Sequence, residues 1–169
     1  MPEEIVNRVA QSGIINLDPA DFYPKFEITE LDIKPWLFQG LLLKEKDFRQ
    51  HLVAHNWQQY EGKHVAVFCS ADAIIPQWAY MLLASHLQPT ASGFSVGTSS
   101  DFTHDYMMQA ISEHDYKQYL DARVILKGCG DYPIPDFVYL ELTKRLVPVA
   151  KSVMFGEACS TVPIYKKKK

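Results

Sequence analysis

Apolar and polar positions along this chain follow two periods. The runs Trp36 to Leu42, Val65 to Cys69, Phe94 to Gly97, Val124 to Lys127 and Ser152 to Phe155 are short and apolar, as buried strands are, though glycine and serine weaken the third. Between them apolar residues recur every three or four positions: Phe48, Leu52 and Trp57 within Lys44 to Tyr60, and Trp78 and Leu82 within Pro76 to Leu87. Thr103 to Leu120 and Ile134 to Leu146 behave in the same way, and the four stretches predict helices. Such alternation of strand and helix predicts a parallel sheet.

The first third of the chain is less regular. Glu3 to Gln11 fits a short helix stopped by Ser12-Gly13, Asp18-Pro19 and Tyr23-Pro24 are turn signals, and Phe26 to Ile33 alternates as an edge strand or arm would. Sliding the chain by about 59 residues then aligns Leu42 to Gly97 with Asp101 to Gly156 without a gap. His55 meets His114, Tyr60 meets Tyr119, Asp72 meets Asp131, Pro76 meets Pro135, and Tyr80 meets Tyr139. The expected architecture is α/β in three layers, a mostly parallel five-stranded sheet with helices on both faces. It is built from an internal strand-helix-strand-helix repeat plus a short N-terminal arm. One domain spans 1–169, with the N-terminal helix and arm at 1–34, repeats at 35–97 and 98–156, and a tail at 157–169. Two strand orders fit, 2-1-3-4-5 or one in which strands two and four are central.

Composition narrows the function classes. A length of 169 residues is enough to bury a core without disulfide or metal staples. The net charge of −3, with basic residues scattered except in Lys166 to Lys169, argues against nucleic acid as a partner. No apolar run approaches the roughly 20 residues of a membrane span, and the acidic N-terminus lacks an export pattern. Three cysteines, an odd number, fit free thiols in a reducing compartment, so the cytoplasm is the expected location.

In a parallel sheet, ligands bind beyond the carboxyl ends of the strands. All three cysteines are expected there: Cys69 after strand two, Cys129 after strand four, and Cys159 after strand five. Thiolates along one edge could hold zinc or an iron-sulfur centre, or act as a nucleophile. Cys129, between Gly128 and Gly130, is the best placed for an accessible thiol, with Asp131 beside it as base. Asp72 and Asp131 precede the proline-opened helices, where they fit either a cap or a metal carboxylate. His104 is the histidine nearest that edge. The candidate metal set is therefore Cys69, Asp72, Cys129, Cys159 and His104, and the candidate catalytic pair is Cys129 and Asp131. No Cys-x-x-Cys pair, glycine-rich phosphate loop or serine-hydrolase elbow occurs.

Five strings carry a resemblance: Ile5-Val6-Asn7-Arg8-Val9, Leu42 to Arg49, Cys69-Ser70-Ala71-Asp72-Ala73-Ile74-Ile75-Pro76, Lys127-Gly128-Cys129-Gly130-Asp131, and Gly156 to Pro163. Over nearly its full length the chain resembles an uncharacterised bacterial family catalogued as a domain of unknown function (family 2480). The resemblance implies no particular reaction. It does imply a link to iron-sulfur cluster assembly, through the genes that neighbour such proteins. The leading expectation is a cytoplasmic protein whose cysteine-bearing edge handles a metal, sulfur or an iron-sulfur partner. The alternatives are a non-catalytic interaction module, as a homodimer or with another protein, and a small-molecule enzyme with Cys129 as nucleophile.

Overall fold

The computed structural model describes residues 13–128, 130–157 and 159–168. The helix expected over Glu3 to Gln11 lies outside them, and so does Cys129. The described residues fall into two compact units, one made of 24–105 and the other of the described parts of 1–23 and 106–169.

In the first unit, β2 (Ile28–Asp32), β3 (His64–Phe68) and β4 (Gly93–Val96) form a parallel sheet in the order β2-β3-β4. Helix α1 (Glu45–Ala54) joins β2 to β3, and α2 (Gln77–Leu87) joins β3 to β4. In the second unit, β1 (Ile14–Leu17), β5 (Arg123–Leu126) and β6 (Ser152–Glu157) are parallel, and β7 (Ser160–Lys166) pairs antiparallel with β6. Helix α4 (Asp136–Leu146) joins β5 to β6, and the boundary between the units falls inside α3 (Ser99–Glu113).

One five-stranded sheet is thus replaced by two smaller ones. Placing helices on both faces also fails within each unit. Val65 and Val67 of β3 share a buried cluster with Leu31 of β2, with Phe48 and Leu52 of α1, and with Ala79, Leu83 and Leu87 of α2. Register puts Leu31, Val67 and Val96 on one face, so α1 and α2 cover the same side. The second unit repeats this, with Met107 and Ile111 of α3 and Val138, Leu142 and Leu146 of α4 packed with Leu17, Val124, Leu126 and Val153. The cause is strand order. When parallel strands follow one another in chain order, right-handed crossovers all return over one face.

Three local readings also change. Trp36 to Leu42 is no strand of a ladder: Trp36 ends a short 3-10 turn, and Gln39 and Gly40, with φ of 52° and 69°, reverse the chain so that the Phe38 N–H donates to the Leu42 carbonyl at 2.7 Å. The two longest expected helices stop early, at Ala54 and Glu113, and each is followed by a separate 3-10 turn, Trp57–Tyr60 or Tyr116–Tyr119. The residues read as a tail contain β7, whose apolar run is broken by Pro163 and ends in Lys166.

His55 and His64 lie in aromatic surroundings. The His55 ring meets Trp36 and Trp57 at 5.0 and 4.8 Å, and His64 stacks on Phe26 at 3.6 Å. Burial pulls both histidines below the ordinary value. Their unfolded forms therefore take up protons at higher pH than the folded ones. The stabilisation they give is complete above about pH 6.5 and is lost as pH falls through the depressed folded values. Urea melts at pH 7.5 and pH 5 should show stability falling with acid, and His55→Gln with His64→Gln should flatten that dependence. In the cores, Leu83→Ala and Leu142→Ala should each cost about 2–5 kcal/mol in the same melts at pH 7.5.

Candidate functional site

Each unit ends its first strand in Leu-Asp: Leu17-Asp18 closes β1, and Leu31-Asp32 closes β2. The leucine enters the core and the aspartate turns the chain. Asp18 Oδ1 accepts from the Ala20 N–H and Asp32 Oδ1 from the Lys34 N–H, both at 2.9 Å. What reaches the second carboxylate oxygen differs between the units. Ser70 Oγ donates to Asp32 Oδ2 at 2.6 Å, and the Ser70 N–H donates to Oδ1 at 3.0 Å. Burial pushes Asp32 up, but the bonds from Ser70 and Lys34 outweigh it and hold the carboxyl below its usual range. On Asp18 the partner is an ammonium: Lys127 Nζ lies 2.9 Å from Oδ2.

That ion pair borders a cleft of about 280 Å³ at the carboxyl ends of β1 and β5, with Pro19, Ala20, Gly128, Gly130, Tyr132, Ile134 and Tyr139 forming the rest of its lining. The backbone of Lys127 is anchored from two sides, its N–H donating to the Leu17 carbonyl at 3.1 Å and its carbonyl accepting from Tyr139 Oη at 3.5 Å. Tyr132 stacks on Tyr23 with ring centroids 4.8 Å apart. A Cβ on Gly128 would lie 2.5 Å from Cζ of Phe155, so a side chain there would displace that ring. A Cβ on Gly130 would meet nothing within 4 Å. The hydrogen bond and charge of Asp18 raise the pKa of Lys127; desolvation opposes them, and Glu157 and Asp131 add to the rise.

The cysteine edge is only partly as expected. Cys69 follows β3, but it continues the alternation of Val65 and Val67 onto the helix-covered face and packs against the core. Beside it, burial and the Cys69 thiol push the Tyr80 pKa up. Cys159 is exposed in the turn between β6 and β7. Asp72 and Asp131 are exposed, and neither caps a helix. Pro76 and Pro135 are the cap residues and lie four positions further on, with no side-chain cap bond. His104 lies on α3 and not at the strand edge, its Nδ1 3.1 Å from Asp105 Oδ1. Cys69, Asp72 and His104 belong to one unit, and Asp131 and Cys159 to the other. Among the described residues, no three His, Cys, Asp or Glu side chains come together as a metal site. No described helix is long and apolar enough to cross a membrane.

The model of a family described as a protein of unknown function (DUF2480) matches residues 3–167. The chain belongs to that family. No curated protein matches it, and no solved structure does. In this DUF2480 chain the residues that build the cleft include two whose local patterns, a turn signal and a strand end, gave them no chemical role, Asp18 and Lys127. The signal was present in Ile14-Ile15-Asn16-Leu17-Asp18, which Ile28-Thr29-Glu30-Leu31-Asp32 echoes 14 residues later.

Because Asp18 is the largest cause of the raised Lys127 pKa, Asp18→Asn should return that pKa toward the ordinary value of about 10.4. An NMR titration of the Lys127 side chain measures the change.

Proposed function

We propose that this protein handles sulfur through the thiol of Cys129, whose chain neighbours line the carboxyl-edge cleft, with Lys127 as the cation that favours the thiolate and Asp18 as the partner that holds Lys127. The cleft is lined by Lys127, Gly128 and Gly130, the chain neighbours of Cys129. The observation that carries the reading is the Ser70–Asp32 hydrogen bond of the other unit, at 2.6 Å. In the 59-residue alignment Ser70 is the counterpart of Cys129, and Asp32 occupies the strand-end position that Asp18 occupies in its own unit. An ammonium beside a thiol favours the thiolate, and Lys127 is two residues from Cys129 in the chain. The resulting thiolate is the form that attacks electrophiles, carries sulfur, or binds zinc or iron.

The reading draws on a second proposal, that the two units arose by duplication. Its supports are local. Helices α2 and α4 start and end 59 residues apart, as do the 3-10 turns at Trp57–Tyr60 and Tyr116–Tyr119. His55 Nε2 lies 3.0 Å from Tyr60 Oη, and His114 Nε2 lies 2.9 Å from Tyr119 Oη. Trp57 Nε1 donates to the Leu52 carbonyl at 2.7 Å where Tyr116 Oη donates to that of Ile111 at 2.9 Å. Gly97 and Gly156 both carry φ near 120°. Substitution at one aligned position, serine against cysteine, then replaces a hydroxyl by a thiol.

The test is alkylation. In a chain carrying Cys69→Ser and Cys159→Ser, iodoacetamide should react with Cys129 at pH 7 faster than with free cysteine. Lys127→Met should slow it on the order of tenfold, because loss of a cation beside a thiol raises the thiol pKa. A rate like that of free cysteine, indifferent to Lys127→Met, sinks the proposal.

A further inference from the structure

We infer that the cleft at the ends of β1 and β5 binds a small zwitterion, an α-amino acid with an apolar side chain. The inference rests on this cleft being the working site, as proposed above, but it does not involve the thiol.

Among the described residues, the charges that line the cleft are one carboxylate and one ammonium, Asp18 and Lys127, held 2.9 Å apart. Their side chains are 32% and 41% exposed, so a ligand can reach both. A lone anion near such a pair is attracted by Lys127 but repelled by Asp18, with Glu157 and Asp131 adding to the repulsion, and a lone cation gains nothing from Lys127. A ligand carrying both charges at similar spacing gains from both at once, its ammonium over Asp18 and its carboxylate over Lys127. The α-amino acid backbone has that spacing. A carboxylate accepts several hydrogen bonds and an ammonium donates three, so the pair can keep its own contact while it binds.

The pair is also fixed before a ligand arrives. Asp18 is held by the Ala20 N–H, and the Lys127 backbone by Leu17 and Tyr139, so little ordering remains to oppose binding. The remaining walls are apolar or aromatic, with Ile134, Tyr139 and Tyr132, the last steadied by its stack on Tyr23. A volume of about 280 Å³ lies just under the range of roughly 300–1,000 Å³ common for ligand pockets, which selects a small molecule.

L-leucine tests the inference against its two single-charge relatives, 3-methylbutylamine and 4-methylpentanoate, each titrated into the full chain and followed by amide NMR shifts and calorimetry. Leucine should shift the amides of Gly128, Gly130 and Tyr132 and bind at least tenfold tighter than either relative. Lys127→Met and Asp18→Asn should each weaken leucine at least tenfold. Tyr132→Ala, which leaves the charge pair and the Asp18 turn in place, should weaken leucine while leaving the preference for it over both relatives. Absence of shifts with leucine, equal binding of either relative, or unaltered binding by the charge variants overturns the inference. Thiol reactivity does not enter this readout. Lack of leucine binding leaves the Cys129 proposal standing, and ordinary alkylation kinetics with leucine binding intact overturn that proposal alone.

Discussion

In a parallel sheet whose strands lie in chain order, each right-handed crossover returns over the same face, and most of this structure follows from that constraint. Helices α1 and α2 share one face of β2-β3-β4, and α3 and α4 share one face of β1-β5-β6. The strand residues facing them, Val65 and Val67 in one unit and Val124 and Leu126 in the other, are the centre of each core. The alternate residues Ala66 and Ile125 point to the opposite face and are buried as well. Burial on both faces is why β3 and β5 read as continuous apolar runs rather than alternating ones.

The same constraint positions the chemistry. Strands that run in one direction bring their carboxyl ends to one edge, where the chain has to turn and where backbone groups leave the ladder. A Leu-Asp ending serves both needs, the leucine in the core and the carboxylate on the freed amides of the turn. Once that carboxylate is fixed, the residue that leaves the neighbouring strand decides what it does. With Ser70 it is a satisfied structural acceptor, and with Lys127 it is half of an ion pair on an open cleft. Cysteine position alone is a poorer guide to chemistry, since Cys69 sits at a strand end and still serves the core.

Several elements were legible because their signals are local. The four helices among the described residues and the strands β3 to β6 come from periodicity and from Gly, Pro and aromatic positions. Strand β1 was not legible, because four residues between Gly13 and Asp18-Pro19 look like part of a turn until a partner strand is known. Helix ends at Ala54 and Glu113 were missed for a related reason. Trp57 and Tyr116 keep the apolar spacing, but each reaches back by a side-chain hydrogen bond to the helix it has already left. Of the site, Gly128, Gly130 and their loop stood out by composition, whereas Asp18 and Lys127 are 109 residues apart and ordinary in their local surroundings.

The sequence by itself determined the class of structure, α/β with parallel pairing, and membership of the DUF2480 family, since both depend on patterns within short windows. Tertiary structure alone decided how strands are shared out. Pairing β1 with β5 and β2 with β3 depends on contacts across about 110 and 36 residues, which no window of periodicity contains. That choice makes two sheets instead of one, puts the helices of each unit on one face, and brings Asp18 to Lys127.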